Sequence, residues 1–85
     1  MKKPRWPLHV RVEVEFVDSC TRGTWSSLEE HRRESSPSLC RSVGYLLERT
    51  ATHVTVAQSI SSHSQSVADT MSIPRACVRA IKRLR

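Results

Sequence analysis

The stretch LHVRVEVEFV, residues 8–17, decides how the rest of the chain is read. Val10, Val12, Val14 and Phe16 recur at every second position, with Arg11, Glu13 and Glu15 between them. Successive side chains of an extended strand point to opposite faces, so this alternation puts the apolar set on a core and the charges in solvent. β-Branched valine suits that half-buried, pleated surface. The stretch therefore predicts a first strand from Leu8 to Val17.

Upstream, Met1 to Pro7 reads as a basic arm. Pro4 and Pro7 cannot donate to a ladder, and Lys2, Lys3 and Arg5 keep the segment solvated. Trp6 is an anchor that either folds back or stays outside. Downstream, Asp18 to Gly23 has the residue types of a turn. Trp25 to Ser36 predicts a short helix or helical turn, with Ser26 or Ser27 as cap and Glu29 and Glu30 in the first turn, where the helix dipole favours anions. Only Trp25 and Leu28 offer apolar surface there, so the helix is expected to lie across one mouth of a sheet. Pro37 stops it.

Alternation then resumes. Leu39 to Glu48 predicts a second strand with Val43, Tyr45 and Leu47 inward, and Cys40, Ser42, Gly44 and Leu46 on the other face. Gly44 inside a strand implies sharp bending or close backbone approach. His53 to Ile60 predicts a third strand with Val54, Val56 and Ile60 inward. Ser61 to Ser66 is a polar loop. Val67 to Ile73 predicts a fourth strand, with Met71 and Ile73 in the core and Asp69 either near an edge or paired, because a buried carboxylate needs a partner. Pro74 to Cys77 suits one 3₁₀ turn. Val78 to Leu84 is read as a last strand. Its rival is a helix from Pro74 to Arg85, with Pro at its first position and Cys77, Ile81 and Leu84 at helical spacing.

The whole is one domain: residues 1–7 a basic arm, residues 8–85 a mainly β unit. Eighty-five residues with 38% hydrophobic content and four aromatic residues support a small core, not a deep substrate cavity. Five strands with one helix between strands 1 and 2, and a 3₁₀ turn before the last strand, is the order of a five-stranded SH3-like or Sm-like small barrel. Val43-Gly44-Tyr45-Leu46-Leu47, a turn, then Val54-Thr55-Val56 resembles the first Sm sequence block. Ile73, Val78 and Ile81 resemble the second. The similarity spans Arg41 to Leu84 and implies a fold only. Sm proteins hold uridine with an Asp-x-apolar-Asn group and an Arg-Gly pair. Here Thr50-Ala51-Thr52-His53 and Pro74-Arg75-Ala76 stand in those places, so that pocket does not carry over. Sm proteins also place their helix before the barrel.

The whole-chain pattern resembles small uncharacterised proteins of tailed phages and prophages. It is carried by Asp18-Ser19, Gly23, Trp25, Cys40 to Tyr45, Val67 to Thr70 and Ile73-Pro74-Arg75. That resemblance implies a phage or prophage accessory protein in the cytoplasm of a bacterial host, and no particular activity.

Cys20, Cys40 and Cys77 lie far apart and have no Cys-x-x-Cys pair, so they read as reduced, small core residues. No apolar run is long enough for a secretory core or a membrane span. His9, His31, His53 and His63 lack i, i+4 pairing, and no metal or other cofactor is expected. His53 and His63 read as solvated residues flanking a hairpin. Asp18-Ser19-Cys20 supplies nucleophile types without a Gly-x-Ser-x-Gly elbow. Glu13 and Glu15 read as a solvated face opposite Arg or Lys. Two glycines in the whole chain leave no phosphate-binding loop. No enzyme is expected.

The sharpest functional lead is charge. The net charge is +6, and Arg75, Arg79, Lys82, Arg83 and Arg85 crowd into the last eleven residues. Lys2, Lys3, Arg5 and Trp6 would join them if the termini meet, giving phosphate contacts beside a stacking plane. The bland reading is a charge block that confers solubility. The expected function is a non-enzymatic binding module. The alternatives are a nucleic-acid binder through Lys2, Lys3, Arg5, Trp6, Arg75, Arg79, Lys82 and Arg83, or an inhibitor that sequesters a host protein or nucleotide signal. Self-association through strand edges is a further expectation. No membrane partner is expected.

Overall fold

A computed structural model describes residues 10–61 and 63–85. The arm, with Lys2, Lys3, Arg5 and Trp6, lies outside the described residues. The elements are β1 (Arg11–Asp18), α1 (Leu28–Arg33), β2 (Ser38–Arg49), β3 (His53–Ser61), β4 (Ser66–Pro74), the 3₁₀ turn η1 (Arg75–Cys77) and β5 (Val78–Leu84). All five strands form one antiparallel sheet in the order β4-β3-β2-β1-β5. The sheet is not closed: β4 and β5 are its two edges. Residues 78–84 are strand, so the rival helix over 74–85 is excluded.

Period-two burial runs along β1 as expected. Val12, Val14 and Phe16 are buried, and Arg11, Glu13 and Glu15 are not. With Val54, Val56 and Ile73 they form the core, and Val10, Cys40, Leu46, Cys77, Val78 and Ile81 pack against it. Fully burying a side chain of this size stabilises by about 1.5–3 kcal/mol, so six such residues dominate the stability of the sheet.

The face of β2 is the opposite of the expected one. Val14 pairs with Ser42 and Phe16 with Cys40. Directly paired residues share a face, so Cys40, Ser42 and Gly44 turn inward. Val43 is 51% exposed, and Tyr45 and Leu47 are half-buried outside the core. Gly44 explains the choice. Ser38 to Tyr45 pair with β1, whereas Tyr45 to Arg49 pair with β3, so the strand changes partner here. A Cβ on Gly44 would lie 2.7 Å from the Ala57 carbonyl oxygen and 3.2 Å from Val56 Cβ. Only glycine lets β3 cross this closely. A register shift between Leu46 and Glu48 completes the turn of the strand.

Two further expectations fail. The expected short helix does form between β1 and β2, as α1, but it buries none of its residues and so does not cover the sheet. Ser27 does cap it, its hydroxyl accepting from the Glu30 amide at 3.1 Å, but Trp25 and Leu28 are exposed. Residues 19–37 thus form an excursion rather than a cover over the sheet, tied by a salt bridge between Arg22 and Glu34. Met71 is 45% exposed. Its sulfur lies 3.7 Å from Ser42 Oγ, across the inner face, but among the described residues no strand covers it on the β4 side. Asp69 sits on edge strand β4 as expected, with φ 57°, and the Gln58–Asp69 pair is missing from an otherwise regular β3–β4 ladder.

Candidate nucleic-acid interface

Antiparallel pairing with β1 sorts the cations of β5. Lys82 pairs with Glu13, Ile81 with Val14 and Arg83 with Val12. Arg79 falls where the register shifts between Glu15 and Phe16, so it is the extra residue of a bulge on the edge strand. Arg79, Lys82, Arg83 and Arg85 are exposed. No carboxylate of the described residues lies within 4.0 Å of any of them. Lys82 differs in having Glu13 as its direct cross-strand neighbour, which partly neutralises it.

The outer face beside β5 is mixed in charge. Arg41 Nε lies 3.4 Å from Glu15 Oε2 and 4.0 Å from Glu13 Oε1. The two glutamates therefore face a cation, as their alternation implied, and they leave the middle of the sheet hostile to phosphate. The unopposed charge is on the edge and at one end. There Arg11, Arg83, Leu84 and Arg85 line an open cleft of about 430 Å³. Arg11 reaches it because it pairs with Leu84. Sequence reasoning placed Arg11 on a solvated strand face and had no signal for this neighbourhood, which depends on the first strand pairing with the last.

Arg75 stands apart. It belongs to η1, is half-buried, and its backbone amide donates to the Thr52 carbonyl at 2.8 Å. Its Nη1 is buried with no hydrogen-bond partner among the described residues. Arg75 is thus partly structural, anchoring the approach to β5, whereas Arg79, Arg83 and Arg85 are surface charges. With β5 roughly 20 Å long at the usual strand rise, they spread along an edge rather than converge on a point.

The other chemistry-bearing groups are scattered. Cys40 and Cys77 pack against the core, but Cys20, expected there too, is exposed. Cys20, His31 and Glu34 line one open cavity of about 560 Å³ in the excursion, where Glu34 is engaged by Arg22. His53 is not simply solvated. It is half-buried, with Nδ1 2.8 Å from the Thr52 hydroxyl and Nε2 3.5 Å from Glu48 Oε2. His63 is exposed, and His9 lies outside the described residues. Among the described residues, no group of three His, Cys, Asp or Glu side chains could hold a metal ion, and no helix is long and apolar enough to cross a membrane.

No family model matches the chain, and no curated protein or solved structure is similar enough to match.

Proposed function

We propose that this chain is a non-enzymatic module that binds nucleic acid along the free edge of β5 and into the cleft of Arg11, Arg83 and Arg85. One observation carries the reading: residues 75–85 hold five cations and no acidic side chain, and the exposed ones have no carboxylate within 4.0 Å among the described residues. Each phosphate neutralised by such a cation releases condensed counterions, which drives association at low and moderate salt. Glu13 and Glu15 turn the strand of phosphates away from the sheet face and onto the edge. In this reading the sheet is a small SH3-like or Sm-like barrel left open between β4 and β5. The role is that of a phage or prophage accessory protein, as the whole-chain resemblance implies.

The test is fluorescence anisotropy with single- and double-stranded oligonucleotides over a range of salt. Four phosphate contacts, from Arg11, Arg79, Arg83 and Arg85, predict a log–log salt slope of roughly 3. Arg79→Glu with Arg83→Glu abolishes binding while leaving the fold intact, because exposed charges contribute little to stability. Affinity no tighter than about 10⁻⁴ M near physiological salt, the weak end of non-specific binding, refutes the proposal and leaves a sequestered protein partner as the better reading.

A further inference from the structure

The end of the sheet where β1 begins and β5 closes carries more than charge. Arg11 pairs with Tyr45 of β2 on one side and with Leu84 of β5 on the other. Directly paired residues share a face, with Cβ atoms about 4.5–5.5 Å apart. Tyr45, Arg11 and Leu84 therefore form one row across three strands, on the face away from Val12 and Val14. A hydrogen bond from the Leu46 amide to the Val10 carbonyl, 3.0 Å long, pins β2 to β1 beside this row. Tyr45 is half-buried, and its cross-strand neighbour on the far side, Ala57, offers only a methyl group. Among the described aromatic residues, Phe16 lies in the core and Trp25 in the excursion, so Tyr45 is the ring that stands next to a residue of the cationic cleft.

The row leads into that cleft, whose lining is Arg11, Arg83, Leu84 and Arg85. Among the described residues, no carboxylate side chain lies within 4.0 Å of these three arginines. Farther along the same face the charge changes: the next rows are Lys82–Glu13–Val43 and Ala80–Glu15–Arg41. Neighbouring strands lie about 4.8 Å apart, and the minor groove of B-DNA is about 6 Å wide. A duplex with one phosphate ribbon on β5, leaning over the sheet, thus sets its second ribbon on Glu13 and Glu15. A single strand has one ribbon, and its bases are free to leave the stack.

We propose that the nucleic acid held at this end is single-stranded, with phosphates at Arg83 and Arg85 and one unpaired base stacked on the Tyr45 ring beside the Arg11 guanidinium. Two strand spacings, about 10 Å, separate β5 from β2, which is the reach of one nucleotide from phosphate to base. Every base has a π-face, so the contact adds affinity with little sequence preference. A guanidinium beside the ring adds a cation–π contribution. The inference rests on the nucleic-acid reading and narrows it to single strands.

The test is fluorescence anisotropy with three oligonucleotides of equal length: an ordinary single strand, its duplex, and a single strand of abasic sugars. The wild type binds the ordinary single strand more tightly than either of the others by roughly tenfold, the scale of one base–aromatic stack. Tyr45→Leu, which keeps an apolar residue in the strand, binds ordinary and abasic strands alike. Its salt slope stays that of the wild type, because no phosphate contact is lost. Tyr45→Phe keeps the preference for bases. Should Tyr45→Leu unfold, the wild-type comparison of ordinary with abasic strands decides alone. Equal wild-type affinity for those two strands, a duplex bound as tightly, or a Tyr45→Leu variant that still prefers bases overturns the stacking site and leaves the phosphate-binding edge standing. Failure to bind any of the three overturns both readings.

Discussion

Adding one methyl group at Gly44 tests the central claim about how the sheet bends. A Cβ there would sit 2.7 Å from the Ala57 carbonyl oxygen, 3.2 Å from Val56 Cβ and 3.3 Å from the Ala57 carbonyl carbon. Two of these atoms are backbone and the third is the root of a buried side chain, so none can swing aside. β3 must move away from β2, loosening the Tyr45–Ala57 and Leu46–Val56 pairs. Overpacking of this kind costs about 1–3 kcal/mol. The opposing gain from a stiffer unfolded chain is only about 0.4–1 kcal/mol. Gly44→Ala is therefore expected to destabilise by about 1–2 kcal/mol net, which for a domain this size lowers Tm by roughly 4–16 °C. Gly23→Ala is the control, since nothing among the described residues lies within 4 Å of a Cβ there. It should be neutral or slightly stabilising. Urea and thermal unfolding of both variants, followed by circular dichroism, gives the comparison. If Gly44→Ala is as stable as the wild type, β3 does not cross at Gly44 and the inward face of β2 is misassigned.

Two further expectations follow from burial. Val54→Ala should cost on the order of 1–3 kcal/mol through lost burial and a cavity, whereas Val43→Ala, on the outer face, should stay within about 0.5 kcal/mol of the wild type. Equal effects in urea unfolding would mean that both faces of β2 and β3 are covered. In the folded protein under reducing preparation, Cys20 should react with a thiol reagent well before Cys40 and Cys77, which pack against the core. Simultaneous labelling of all three, read by peptide mass spectrometry, would show that the core side of β2 is open.

The strands were legible where alternation and β-branching agreed. β1 and β3 follow directly from Val12, Val14, Phe16, Val54 and Val56. The final strand and the 3₁₀ turn before it were legible too, because Pro74 starts a turn and Val78 and Ile81 favour extended backbone. The face of β2 was not. Its apolar residues Val43, Tyr45 and Leu47 outnumber those on the side that packs inward, where Cys40, Ser42 and Gly44 lie. Hydrophobic count pointed one way, and the steric demand at Gly44 together with the β1 register pointed the other. Steric demand won, because no larger residue fits beneath Ala57. The excursion misled for a related reason: Trp25 and Leu28 look like core residues in sequence, but nothing among the described residues covers them. Of the candidate interface, the cations of β5 were legible as a cluster. Arg11 was not, since its place beside Leu84 depends on long-range pairing.

That pairing also governs the order in which the molecule can assemble. β1 is an inner strand, yet its partner on one side is the last strand of the chain, and the ladder joins Arg11 to Leu84. During synthesis, β1 can zip onto β2 and β3 onto β4 as soon as each hairpin emerges. The other side of β1 keeps its amides and carbonyls bare until β5 leaves the ribosome. Loop closure over nearly the whole chain must precede any gain from those contacts, which makes this the slow step and leaves Val12, Val14 and Phe16 open on that side meanwhile. Chains truncated before Val78 would carry this defect permanently, and aggregation through the naked side of β1 is their expected fate.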